Sequence, residues 1–392
     1  MGPSFNEQFD QHGVWRREFA QQLKRLADWM ATHDLMDAAV QERLQRLEDQ
    51  VRSDKVMVAF VAEFSRGKSE LINAIFFADY GRRIMPASAG RTTMCPTELG
   101  YDANVAPSLR LLPIETRLQM QSLAEWRVKA DRWHEIPLDV GNADQIAKAL
   151  EKVAEVRKVS LDNARALGFW HDDLTDENPV PDAQGMVEVP MWRHAIINIP
   201  HPLLKQGLVI LDTPGLNAVG AEPELTVNLI PQAHAVVFIL SADTGVTRSD
   251  LSIWREHLAI SPESVEARLV VLNKIDTLWD TLNTAEQVQS QMERQCATSA
   301  EMLGVSLDRV VPVSAQKGLV AKITADDVLL ETSGLPALEE ALAKGIMGRR
   351  QSILRAAVAT GVASLRTETS RVINIRRRDL DDQMAEPVSY TH

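Results

Sequence analysis

Cysteine, net positive charge and long apolar runs are all scarce in this chain of 392 residues. Its two cysteines, Cys95 and Cys296, are too few for a disulfide framework and suit a reducing compartment. Acidic residues outnumber basic ones 54 to 42, a formal net charge of −12. That balance removes the general basic field of a nucleic-acid binder and any broad attraction to anionic lipid. No run approaches the roughly 18 apolar residues of a membrane span. The opening "MGPSFNEQFDQHG" holds no apolar signal core, and Gly2 starts no myristoylation signal because position 6 is Asn6. The expectation is a cytoplasmic protein with no nucleic-acid partner. At 45% hydrophobic the chain can bury a full core, and its length suggests two or three domains.

Residues 5 to 52 alternate charged and apolar at helical spacing. Trp15, Phe19, Leu23, Leu26 and Met30, then Val40, Leu44, Leu47 and Val51, form one stripe. One long helix, or two broken near "ATHD", is predicted, and either needs partner helices. The period then changes. "VMVAFVA" (56–62), "LVILD" (208–212), "AVVFIL" (235–240), "RLVVLN" (268–273) and "RVVPVS" (309–314) read as buried parallel strands. Helical segments at 67–78, 247–259 and 284–303 lie between them, the pattern of a doubly wound α/β sheet. "HAIINIP" (194–200) is predicted as the antiparallel neighbour of 208–212. Residues 107–190, with helical pieces at 123–134 and 142–167, read as an insertion of unassigned role. From 336 to 386 the helical pattern returns. The last residues, 387–392, look foreign to it, and the natural protein is expected to continue with different residues.

Four motifs follow four of these strands in turn. After 56–62 comes "EFSRGKSE", close to the phosphate-loop pattern G-x-x-x-x-G-K-[ST] but with Ala62 in place of the first glycine. The loop Glu63, Phe64, Ser65, Arg66, Gly67, Lys68, Ser69 and Glu70 would cradle phosphates with backbone N–H groups. Lys68 would reach the β- and γ-phosphates, and Ser69 would ligate Mg²⁺. Arg66 reads as an internal arginine finger or, more simply, as an exposed arginine near the anion. An alanine at 62 is tolerated only if φ there is negative. "LVILDTPG" places Asp212 beside that loop to hold Mg²⁺, with the Gly215 N–H open to a γ-phosphate. "VVLNKIDT" supplies Asn273, Lys274 and Asp276. The Asp276 carboxylate accepts the two donors of guanine, which adenine lacks, while Lys274 lies over the base. "PVSAQKG" brings Ser314 and Ala315 to the base oxygen and Lys317 to its other face. Each motif alone is weak; their order points to GTP.

With "EFSRGKSELINAI", "RTTMCPTEL" (91–99), "DTPGLN" and "NKID", the chain resembles the dynamin-like large GTPases, bacterial ones in particular, over about residues 55–318. The resemblance implies a P-loop GTPase domain, 55–335, and a bundle built from helices 1–54 and 336–386. It implies that Thr93 ligates Mg²⁺ and contacts the attacking water, and that Ser65 and Gly215 flank a monovalent cation, K⁺ or Na⁺. Catalytic work then falls to Ser65, Lys68, Thr93 and Gly215, and metal binding to Ser69, Thr93 and Asp212. Leu216 stands where Ras-type enzymes keep a water-positioning glutamine, and Phe64 where dynamins have an assisting one. The implied partners are a second copy across the nucleotide face and a membrane met peripherally, at the inner face of the cell membrane, through a C-terminal region. No lipid-binding residue is visible in this sequence. Two other readings stand beside membrane remodelling: a switch GTPase serving RNA modification or ribosome assembly, and a low-turnover GTP-binding scaffold, suggested by Ala62 and Phe64 together.

Overall fold

The structure is a computed structural model. It describes residues 5–37, 40–41, 43–45, 47–48, 55–86, 95–119, 121–172, 178–213, 230, 233–258, 268–279, 284–346 and 350–385. The chain divides into two compact units, one of residues 55–348 and one joining 1–54 to 349–392.

In the larger unit the five predicted runs become five adjacent strands of a nine-stranded sheet, running inward from one edge. They are β1 (Val56–Ala62), β8 (Leu208–Asp212), β9 (Ala235–Ser241), β10 (Arg268–Asn273) and β11 (Val310–Pro312). The other four are β2 (Thr97–Gly100), β3 (Ser108–Pro113), β4 (His134–Pro137) and β7 (Trp192–Asn198). The order is β11-β10-β9-β1-β8-β2-β7-β3-β4. These five adjacent strands are mutually parallel. Continuous apolar runs suit them because both faces are covered, and Val58 to Ala62 and Val270 to Leu272 are fully buried.

Three predictions change. "HAIINIP" does not pair with β8. β2 lies between them, antiparallel to β8 and parallel to β7. The span 142–167 is not one helix, because a helix at Ala143–Glu151 gives way to β5 (Val156–Ser160) and then to Leu161–Ala166. β5 finds an antiparallel partner in β6 (Met186–Pro190), and that long-range ladder overrides local helical spacing. Residues 107–190 also feed the main sheet through β3 and β4, and among the described strands of this span the β5–β6 pair stands apart from it. Its own core joins Ile114, Val159, Leu167, Phe169 and Val187.

The helix at Leu335–Glu340 belongs to the larger unit, with Leu335, Leu338 and Leu342 fully buried. That unit therefore runs past the expected boundary at 335. In the smaller unit, helix Phe5–Thr32 ends in a break at 33–37, within the predicted "ATHD" region, and helical backbone resumes at Val40. Leu23, Met30, Val40, Leu44 and Leu47 share one core with Val358 and Leu365 of the helix Arg350–Ala385. The tail 387–392 lies outside the described residues.

His234, just before β9, accepts the Met57 N–H on Nδ1 at 3.0 Å, while its Nε2 is buried without a partner. Burial pushes the imidazole down to about 4. The unfolded chain binds this proton near pH 6.5, so stability falls as pH drops from about 6.5 to about 4, by on the order of 3 kcal/mol. In His234→Asn the amide oxygen accepts the same N–H without titrating. Thermal melts across this range should show a shallower pH dependence for the variant; equal slopes would assign the loss to other groups.

Candidate nucleotide site

Because β1, β8, β9, β10 and β11 are parallel, their C-terminal ends open on the same sheet edge, where such sheets bind ligands. The phosphate loop leaves β1 there. Ala62 is fully buried, and it is absent from the described non-glycine residues with positive φ: Asp34, Ser65, Lys274 and Ala325. The left-handed turns fall instead at Ser65 (φ 66) and Gly67 (φ 84), so position 62 has no need of glycine. Ala62→Gly should leave GDP affinity within about twofold and lower stability by about 0.5–1 kcal/mol through backbone entropy alone. A large gain in affinity on titration would mean that the alanine had impaired the loop.

Lys68 opens the following helix, Lys68–Ile72. It is buried and ion-paired with Asp212 Oδ1 at the end of β8. Burial pushes the Asp212 carboxyl above the usual carboxylate range, and the Lys68 ammonium draws it back. Its second oxygen, Oδ2, is buried with no hydrogen-bond partner. An orphaned hard oxygen beside the phosphate lysine fits a magnesium ion that keeps most of its waters, with Ser69 in the first helical turn beyond Lys68. Thr93, Gly215 and Leu216 lie outside the described residues.

Asn273 uses both ends of its amide on the protein. Nδ2 donates to the Arg66 carbonyl at 2.8 Å, and Oδ1 accepts the Ala315 N–H at 3.0 Å. It ties the phosphate loop to the Ser-Ala turn. A Cβ on Gly67 would stand 2.4 Å from that Nδ2, so glycine is required for this approach as well as for its φ. Asp276 is half-buried and is oriented by Ser314, whose Oγ donates to Oδ1 at 2.6 Å. Ser314 also caps the helix Ala315–Thr324 by accepting the Lys317 N–H at 3.2 Å. Lys274, in left-handed conformation, sets its Nζ 3.3 Å from Asp243 Oδ2.

Two loop side chains turn away from the expected position. Arg66 is not an exposed arginine: it is 7% exposed and ion-paired with Glu63 and with Asp250. The Glu70 carboxylate is held by Arg83, Nη2 to Oε1 at 2.6 Å, and it raises the guanidinium pKa. Phe64, at the loop's tip, is 47% exposed. Asp243 escaped the sequence analysis. Burial opposes its ionisation, but Ser241 and Lys274 together hold its carboxyl below the ordinary value. Its signal was position, two residues past the end of a strand that neighbours β1. Asn73 was also missed. Its amide pins the segment entering 87–94, accepting the Ile84 and Met85 N–H groups at 2.9 and 2.7 Å and donating to the Met85 carbonyl at 3.0 Å. Cys95 is fully buried and Cys296, raised to about 11 by burial, is an inert thiol.

Among curated proteins, one from Caldicellulosiruptor sp. (strain Rt8B.4), described as an uncharacterized protein in the xynA 3′ region, is 21% identical over 327 residues, 83% of this chain and 64% of that one. Dynamin-like protein A of Bacillus subtilis is 25% identical over 313 residues, 73% of this chain and 24% of its own length. The chain thus spans less than two thirds of either relative. A solved oligomerised bacterial dynamin pair, described as sensing and tethering membranes, is 15% identical with a TM-score of 0.49, covering 98% of this chain and 58% of that one. The dynamin family itself matches residues 58–275. That stretch is more than half of the chain and carries the phosphate loop, Asp212 and Asn273, so the protein belongs to the dynamin family.

Proposed function

We propose that this chain binds GTP with Mg²⁺, hydrolyses it to GDP and phosphate, and couples turnover to self-association at a membrane surface. The observation that carries the reading is the meeting of four groups at one sheet edge: the Gly67 turn, the Lys68–Asp212 pair with its unused Oδ2, the Asn273 strut and the Ser314–Asp276 pair. Phosphoryl transfer asks a protein mainly for positioning and charge neutralisation. Lys68 leaves Asp212 to meet the β- and γ-phosphate oxygens, and Asp212 and Ser69 are the groups that would hold the ion. Magnesium, when bound, offsets the charge shared by the β- and γ-phosphates. Asp276, fixed by Ser314, selects guanine. Ser65, exposed at the loop's bend, is the residue for a monovalent cation, with Thr93 and Gly215 as its companions in catalysis.

The exposed ring of Phe64 on the nucleotide face favours a second copy as partner there. A membrane role rests on family membership, since among the described residues no helix is long and apolar enough to cross one. The protein would then act in the cytoplasm, meeting the inner face of the membrane peripherally. Phosphate release measured with and without liposomes, in K⁺ and in Na⁺, alongside light scattering for the dimer, tests the proposal. Stimulation by liposomes with dimerisation supports it. Stimulation by RNA would favour the switch GTPase, and tight binding without release the scaffold.

A further inference from the structure

Arg66 is placed where a catalytic arginine would be sought, yet its guanidinium faces the other way. Nη2 donates to Asp250 Oδ2 at 3.0 Å and to Thr247 Oγ1 at 3.3 Å. Nη1 donates to the Thr244 hydroxyl, and the Glu63 carboxylate accepts from Nη2. Asp250 is fully buried and is already the N3 residue of a capping box that closes the helix Arg248–Ile253, accepting the Thr247 N–H at 2.9 Å. Arg66 is also held from behind, because its carbonyl accepts from Asn273 Nδ2. Arg66 therefore lies between two left-handed residues, Ser65 and Gly67, with its backbone and its side chain both tied to the scaffold. A non-glycine residue at positive φ persists only when its surroundings over-determine it. The clamp provides that constraint.

We propose that Arg66 is a positioning residue: with Glu63, Thr244, Thr247 and Asp250 it clamps the phosphate loop to the segment after β9, and acts on nucleotide only through loop geometry. This rests on the reading of the site as a GTP site. A guanidinium so engaged is not available to the transition state, so its loss weakens GDP and GTP alike. An arginine finger, by contrast, would affect kcat alone.

The test compares Arg66→Gln, Asp250→Asn and the double variant, measuring dissociation constants for GDP and a non-hydrolysable GTP analogue, kcat at saturating GTP, and thermal melting. Each single change should weaken both nucleotides equally, by about tenfold, with kcat much less affected. The double variant should be no worse than either single one, because both remove one clamp. Thr244→Val, which removes only the hydroxyl on Nη1, carries the same comparison with little effect on folding. Nucleotide affinity within about twofold of the parent, a loss confined to kcat, or full additivity would overturn the clamp. Should the unmodified protein bind neither nucleotide, the GTP site itself fails and not Arg66's place in it.

Discussion

Lys68→Ala should abolish nucleotide binding and, separately, destabilise the ligand-free protein. The first effect follows from removing the one cation of the loop that can follow the β- and γ-phosphates; affinity for GDP and for a GTP analogue should fall at least about a hundredfold. The second follows from the pairing of Lys68 with Asp212. Asp212 is buried and Lys68 is its ion-pair partner. Breaking such a pair from one side leaves an uncompensated charge and costs about 3–5 kcal/mol, part of which the carboxyl escapes by taking up a proton. Calorimetric titration and thermal melting read the two effects independently. Lys68→Met, which keeps the aliphatic stem, should lose binding to the same degree. Unchanged binding in either variant would remove the phosphate assignment.

Asp276→Asn should move base preference from guanine to xanthine. Ser314 Oγ at 2.6 Å orients the side chain at position 276, so an amide there sits where the carboxylate did. One of its ends is then a donor facing the donors of guanine, and GTP affinity should fall about a thousandfold. Xanthine carries a carbonyl where guanine has its amino group, and xanthosine nucleotides should bind the variant more tightly than the parent. Competition of GDP with xanthosine diphosphate measures the exchange. Loss of both without a gain for xanthine would mean that the variant had merely loosened the turn around Ser314, and a parent-like preference would mean that the base sits elsewhere.

The central sheet and its ligand edge were legible because each of the five strands is a short apolar run closed by a motif. A strand buried on both faces leaves such a run with no alternation to obscure it. The fate of 142–167 was not legible. Ile146, Ala149, Leu150 and Val153 keep helical spacing, and the residues that turn Val156–Ser160 into a strand are Met186–Pro190. The same limit applied to "HAIINIP", a correct strand given the wrong neighbour: β2, from a distant part of the chain, took the position beside β8.

What the sequence by itself determined is the set of chemical groups at the site and their order along the chain. Turns, caps and left-handed bends are set within a few residues of each motif. Tertiary structure alone decided which of those groups face a ligand and which support the ones that do. Arg66 and Asp250 are 184 residues apart, and Asn273 reaches the Arg66 carbonyl across 207. Only the placement of β9 beside β1, and of β10 beside β9, brings them together. An arginine and an asparagine that both look like ligand contacts in the motif thus become the supports of the loop, because burial favours a charged or amide side chain only when its partners are already in place.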